Sequence, residues 1–199
     1  ILEKYEQQYS DDIVLIKKDI NCGAGGCRNK ALEYVDAEYI TYCDADDWLD
    51  LDAYEVLYKV AKEQDADLLE FDYTEINEHS GISKNNGDVY PGNLYVIDNR
   101  SDFILPSESK MICMNKLYRS TLLTENKIMF LENAVYEEAP FSLLIRYYVH
   151  RYYKLDMELY YYYQHGDSYS KKYYERFSDV LISYDMLLNE IKKRGFYEQ

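Results

Sequence analysis

Four carboxylates, Asp44, Asp46, Asp47 and Asp50, fall within seven residues of the stretch "YITYCDADDWLD" (39–50), around the only tryptophan of the chain, Trp48. Like charges crowded in this way repel one another unless a cation lies among them. Hard carboxylate oxygens suit Mg2+ or Mn2+, which keep coordination positions open for phosphate oxygens. Asp44 and Asp46, two apart, can both face a ligand where the backbone turns out of a strand. The formal net charge of -15 leads to the same chemistry. A protein this acidic binds an anionic ligand such as a nucleotide diphosphate when a cation neutralises it, and it lacks the basic stripe that a nucleic-acid backbone needs. A second acidic pair, Glu137-Glu138, precedes an apolar stretch, and His165 follows four tyrosines in "YYYYQHGD".

Other chemistries meet specific obstacles. Asp44, Asp46 and Glu55 occupy positions one, three and twelve of a calcium loop, but Trp48 and Leu49 stand where a ligand and a sharp-turning glycine belong. Gly23-Ala24-Gly25, with Asp44 about twenty residues on, makes most of a dinucleotide fingerprint; Arg28 replaces its third glycine. A dehalogenase-type phosphatase also places Asp-x-Asp after an apolar strand, yet Trp48 stands where Thr or Val is expected. A solvated loop capping the next helix accounts for Asp50 and Asp52 and less well for Asp44 and Asp46.

The elements that must position these groups follow from periodicity. "DIVLIKK" (12–18), "EYITYC" (38–43) and "ADLLEFDY" (66–73) read as strands, and "CRNKALEYV" (27–35) as a helix. Ala53, Val56, Leu57, Val60 and Ala61 recur at helical spacing behind Asp52 and Glu55, placed as in a capping box. Strand and helix in alternation predict an α/β sheet with parallel pairing and crossover helices, and in such sheets ligands bind at the carboxyl ends of strands. Residues 74–110 read as an irregular excursion with one strand near "NLYVI". Residues 136–149 read as a helix after an acidic start, "YYKLDMELYYYY" (152–163) as two short strands about a turn, and 177–195 as an amphipathic helix. Leu2, Tyr5 and Tyr9 share one face of an N-terminal helix.

At 199 residues the chain suits one sizeable domain, without an apolar run of the roughly 18 residues that span a bilayer. Cys22, Cys27, Cys43 and Cys113 lack the paired short spacings of a zinc site, and a reduced, cytoplasmic protein is expected. The 25 tyrosines suit carbohydrate-facing or partner surfaces as well as a core, and Trp48 and the tyrosines at 160–163 could stack on sugar or base.

Taken in order, "NCGAGGCRNKAL", "EYITYCDADDWLD", "ADLLEFDY", "NKLYRSTLLTENKIMF", "YEEAPF" and "LYYYYQHGDSYS" resemble the family 2 glycosyltransferases of the GT-A fold, especially bacterial enzymes that build surface polysaccharide. The resemblance implies a GT-A-like α/β domain with a mostly parallel sheet flanked by helices and a C-terminal α+β acceptor region. Residues 1–110 would form a partial nucleotide-sugar and metal-binding region, and 111–199 the acceptor side with the catalytic base, within the same domain. Family members usually begin with a strand leading into Pro-x-Tyr-Asn and a second strand ending in Asp-Asp-Gly-Ser. Neither is present, so a domain lacking its first strands, with an incomplete donor pocket, is expected.

By the same resemblance Asp44 lies near the donor's ribose or diphosphate, Asp46 coordinates Mn2+ or Mg2+ with Asp44, and Asp47 orients their loop. Arg28 faces the donor nucleotide, and His165 is a further metal ligand. Glu138, with Glu137 beside it, takes the place of the family's Glu-Asp base. Glu138 stands where relatives carry Asp: the same chemistry on a longer arm. The implied reaction is transfer of a sugar, with inversion, from a nucleotide diphosphate donor of the uridine type to a glycan or lipid-linked acceptor. No nucleic acid takes part, and any membrane association would be peripheral, through partners, at the inner face. The rival readings are a truncated or degenerate module that binds carbohydrate or a partner without turnover, and a metal-dependent phosphatase.

Overall fold

In the computed structural model, residues 1–76, 90–98, 111–134, 136–164 and 177–196 are described. Six helices and six strands follow in the order α1 (Leu2–Gln8), α2 (Gly23–Leu32), β1 (Tyr39–Thr41), β2 (Trp48–Leu49), α3 (Ala53–Gln64), β3 (Leu68–Ile76), β4 (Gly92–Val96), β5 (Lys116–Arg119), α4 (Ser120–Thr124), α5 (Glu138–Ile145), β6 (Arg151–Tyr163) and α6 (Phe177–Lys193). The strands form one sheet in the order β1-β5-β3-β6-β2, with β4 also on β6.

The architecture is mixed α/β, but the sheet is not mostly parallel. Among the described strands only β3–β6 is parallel; β1–β5, β2–β6, β3–β5 and β4–β6 are antiparallel. The expectation assumed that strands consecutive in sequence would be neighbours. Instead β5, from the second half of the chain, lies between β1 and β3 and runs against both.

Two local expectations also change. Residues 13–18 form no strand, since a β-branched run needs a neighbour for its backbone groups; the Leu15 N–H goes to Glu6 Oε1 at 3.0 Å. The two short strands foreseen at 152–163 are one 13-residue strand, β6. Its register against β3 jumps from Glu70↔Lys154 to Asp72↔Glu158, so the apparent turn near Asp156 is a bulge. On the other edge of β6 the Asp156 N–H donates to Pro91 O at 2.8 Å, continuing the register with β4.

Period-2 alternation splits the core over the two faces of the sheet. Leu68, Tyr118 and Tyr152 face one cluster with Leu123, Phe130, Phe141 and Ile145; Leu69, Leu117 and Tyr153 face the other with Ala53, Leu57, Val60 and Tyr160. Helices α4, α5 and α6 cover the first face and α3 the second. Tyr118, Tyr152 and Tyr160 are fully buried, so part of the tyrosine richness is core. Asp52 is the N-cap of α3 but makes no side-chain cap bond; Asp50 Oδ1 instead accepts from the Asp52 N–H at 3.3 Å. Among the described residues no helix is long and apolar enough to cross a membrane.

Candidate functional site

Where β1 ends, the chain turns out of the sheet and Asp44–Asp47 form a tight loop closed by Asp47 N–H to Asp44 O at 3.1 Å. Strand β6 fixes this loop from below. The Tyr160 hydroxyl accepts from the Asp44 N–H at 3.2 Å and donates to Asp47 Oδ2 at 2.5 Å, while the Tyr163 N–H donates to Asp47 Oδ1 at 2.9 Å. Both Asp47 oxygens therefore hold the loop to the sheet. Burial pushes the Asp47 carboxyl above its ordinary range despite these donors, and it pushes the Tyr160 phenol up as well. Asp50 is anchored too, its N–H donating to Leu159 O at 2.9 Å. The carboxylate of Asp46 is exposed at the tip of the loop. Trp48 stacks on Tyr161 with centroids 5.9 Å apart, and it remains 37% exposed.

Helix α2 supplies the cation. It lies so close to residues 130–131 that a Cβ on Gly25 would sit 2.6 Å from Leu131 O, so glycine is required there. Asn29 clamps the same contact, its Nδ2 donating to Phe130 O at 2.9 Å and its Oδ1 accepting from the Phe130 N–H at 2.8 Å. This register aims Arg28 at the acidic loop. Arg28 Nη2 reaches Asp44 Oδ1 at 2.9 Å, and Nη1 reaches Glu137 Oε1 at 2.9 Å and Glu138 Oε1 at 3.5 Å. The guanidinium carbon stands 5.3 Å from the Phe130 ring centre. Burial disfavours the guanidinium charge, but the surrounding Glu138 and Asp44 carboxylates outweigh it, and the pKa moves upward. One fixed cation thus ties the loop after β1 to the start of α5, 109 residues away from it in sequence.

Glu137 and Glu138 open α5. Burial pushes the Glu137 carboxyl up, the Glu138 charge adds to this, and Arg28 opposes it. An acid with a raised folded-state pKa contributes stability that is complete below the unfolded value and is lost as pH rises through the folded one. Glu137→Gln keeps an oxygen for Arg28. It is therefore expected to melt higher than the parent near neutral pH, with the difference closing as pH falls toward about 4; melting curves across that range check this. Every contact of the Glu138 carboxylate among the described residues falls on Oε1, which takes the Cys113 N–H at 3.3 Å and the Cys113 thiol at 2.8 Å besides Arg28.

The structure brings Arg28, Asp44, Glu137 and Glu138 into direct contact and sets Asp46 and Asp47 on the adjoining loop. His165 lies outside the described residues. Among those described, no group of three or more His, Cys, Asp or Glu residues is arranged as a metal cage. The chemistry of Asp44 and Asp46 fits an ion of the Mg2+ type, whose hard charge takes one or two protein carboxylates and completes its shell with phosphate and water. Sequence reasoning missed the Tyr160 hydroxyl and Cys113. Neither has a local signal, since their partners lie 113 and 25 residues away.

Residues 1–176 match the family model described as Glycosyl transferase family 2. The chain is 30% identical over 131 residues to a poly(ribitol-phosphate) beta-glucosyltransferase of Bacillus spizizenii, covering 65% of this chain and 19% of the relative. It is 31% identical over 124 residues to the glycosyltransferase GlyA of Streptococcus pneumoniae, covering 58% and 18%. Among solved structures, S. aureus TarS 1–349 aligns with a TM-score of 0.66 at 20% identity over 95% of this chain and 52% of that one. The same protein in complex with UDP-GlcNAc aligns with a TM-score of 0.64 at 19% identity, over 85% and 48%. The chain thus spans less than a fifth of those two curated relatives and about half of TarS 1–349, and the likeness to TarS gives it a GT-A-type fold.

Proposed function

The chain belongs to glycosyl transferase family 2, and from that premise we propose that it transfers a sugar, with inversion, from a uridine diphosphate donor to a glycan or lipid-linked acceptor in bacterial surface-polysaccharide synthesis. The observation that carries this reading is the single guanidinium that joins Asp44, at a strand end suited to a diphosphate, to the Glu137-Glu138 pair. A donor-side acid and a candidate base are thereby held at one centre. The donor class is supported by TarS, solved with UDP-GlcNAc and with UDP. The process is supported by the poly(ribitol-phosphate) glucosyltransferase relative.

In this reading the acceptor hydroxyl attacks the anomeric carbon while Glu138 Oε2 takes its proton, and the nucleoside diphosphate leaves from the opposite face. Attack opposite the leaving group inverts the configuration. Glu138 acts as general base through Oε2, with Oε1 anchored. Asp46 and Asp44, with His165 by family resemblance, would hold Mn2+ or Mg2+, which supplies Lewis-acid neutralisation of the departing diphosphate. Asp47, gripped by β6, keeps that loop in place, and Arg28 holds Asp44 against the centre.

The melting temperature with MnCl2 and uridine diphosphate, separately and together, tests the donor site. Saturation at about 100 times the dissociation constant adds roughly 2.7 kcal/mol, a rise of about 5 to 11 °C for a chain of this length. The expected result is a rise that needs both ligands and disappears in Asp46→Asn. No rise with uridine diphosphate or any other nucleoside diphosphate, once the family's first strands are supplied ahead of residue 1, would overturn the reading.

A further inference from the structure

We propose that the Cys113 thiol is a positioning residue for Glu138, fixing Oε1 so that Oε2 alone meets the acceptor hydroxyl; this rests on the reading of Glu138 as the base. Two hydrogen bonds and an ion pair converge on Oε1: the Cys113 S–H donates at 2.8 Å and the Cys113 N–H at 3.3 Å, and Arg28 Nη1 lies 3.5 Å away. A carboxylate with one oxygen so engaged rotates little about its last bond, and the other oxygen keeps a fixed direction.

The thiol itself stands on a rigid mount. Cys113 is fully buried. Lys116 Nζ donates to Ile112 O at 2.8 Å, and the Tyr118 hydroxyl donates to Cys113 O at 3.3 Å. Lys116 is in turn held 3.5 Å from Glu70, and both are buried. This core polar cluster places the Cys113 backbone, and the backbone places the side chain under the first turn of α5. Burial, and then the Glu138 charge, push the Cys113 thiol well above its ordinary range, so it stays protonated and remains a donor. The charged groups around the Glu138 carboxylate are Arg28 from α2, Glu137 beside it, Asp44 beyond Arg28 and, through the core, Lys116. Cys113 is the only one of these neighbours that donates without bringing charge.

A packing role and a donor role make opposite predictions for serine. If Cys113 only fills space, Cys113→Ala is tolerated better than Cys113→Ser, because serine buries an unmatched hydroxyl. If Cys113 donates to Glu138, serine restores the bond and alanine does not. The test is urea unfolding of Cys113→Ala and Cys113→Ser, each with Glu138 intact and in a Glu138→Ala background, together with initial rates of uridine diphosphate release from UDP-GlcNAc and UDP-glucose.

The expected result is a folding equilibrium constant roughly tenfold higher for serine than for alanine when Glu138 is present, with the order reversed when it is absent. Catalysis should follow: kcat falls about tenfold in Cys113→Ala, KM for the donor is unchanged, and Cys113→Ser recovers most of the loss. Serine no better than alanine beside an intact Glu138 would overturn the proposal. Glu138→Gln with full activity would instead overturn the base, and with it the positioning role, while the unfolding order stayed as expected; the two failures are thus told apart.

Discussion

Glutamine in place of Glu138 is expected to lower the rate of sugar transfer by about 10²- to 10⁴-fold, the usual contribution of a general base, with donor affinity nearly unchanged. The substitution is close to isosteric. Its amide oxygen can still accept from Cys113 and Arg28, so the start of α5 should keep its place, but the amide cannot take a proton at pH 7. A loss confined to kcat assigns the residue to the transition state and not to ground-state binding. Glu138→Asp should fall between the two: shortening the arm by one methylene withdraws Oε1 from the Cys113 thiol, now 2.8 Å away. Proton abstraction then remains chemically possible from a displaced carboxylate. Steady-state rates for the three forms, measured with the same donor and acceptor, check the order. An active Glu138→Gln would require another base, and Glu137, whose Oε1 is tied to Arg28 at 2.9 Å, is the candidate beside it in the chain.

Much of this centre was legible from local pattern, and the rest was not, for reasons that lie in the chain. Helix α3 shows its 3.6-residue period plainly because it buries one face, with Ala53, Leu57, Val60 and Ala61 all inside. The first half of strand β3 buries Leu68, Leu69 and Phe71 because both its faces are covered there, and the acidic loop is marked by the change from strand to carboxylates. Pairing direction carries no such mark. A strand's alternation is the same whether its neighbour runs with it or against it, so the insertion of β5 between β1 and β3 could not be read. The continuity of β6 was hidden because the bulge near Asp156 places a polar residue where a turn would also place one.

The site divides in the same way. Each acid could be picked out by its neighbours, and Arg28 stood out as a cation at the start of a helix. That one guanidinium would serve Asp44, Glu137 and Glu138 together is a tertiary fact, as is the Cys113 contact. Family resemblance supplied the order of the motifs and the expectation that Arg28 faces the donor nucleotide. In the structure its two terminal nitrogens are engaged by the protein's own carboxylates.

That arrangement makes Arg28 a sensitive position for stability. Arg28→Met keeps much of the side chain's length and its contact with Phe130, and it removes the charge that three carboxylates share. Breaking a buried ion pair by deleting one partner costs about 3 to 5 kcal/mol. Here Arg28 is 12% exposed and Asp44 34%, so solvent screening reduces the expected loss, to roughly 2 to 3 kcal/mol. At this chain length that is a fall in melting temperature of about 4 to 12 °C. The pH dependence has a definite sign. Without the cation, the already raised Glu137 carboxyl is raised further, and the stability tied to it is lost as pH rises through the new folded-state value. The deficit of Arg28→Met should therefore be largest near neutral pH and shrink as the solution is acidified into the carboxylate range. Arg28→Lys separates charge from geometry. A lysine restores the positive charge, and with it part of the melting temperature, but a single ammonium cannot present the planar fork that meets Asp44 on one nitrogen and Glu137 on the other. Transfer should stay low in Arg28→Lys even where stability recovers. A lysine variant as active as the parent would show that the centre needs a charge at this point and not the guanidinium's geometry.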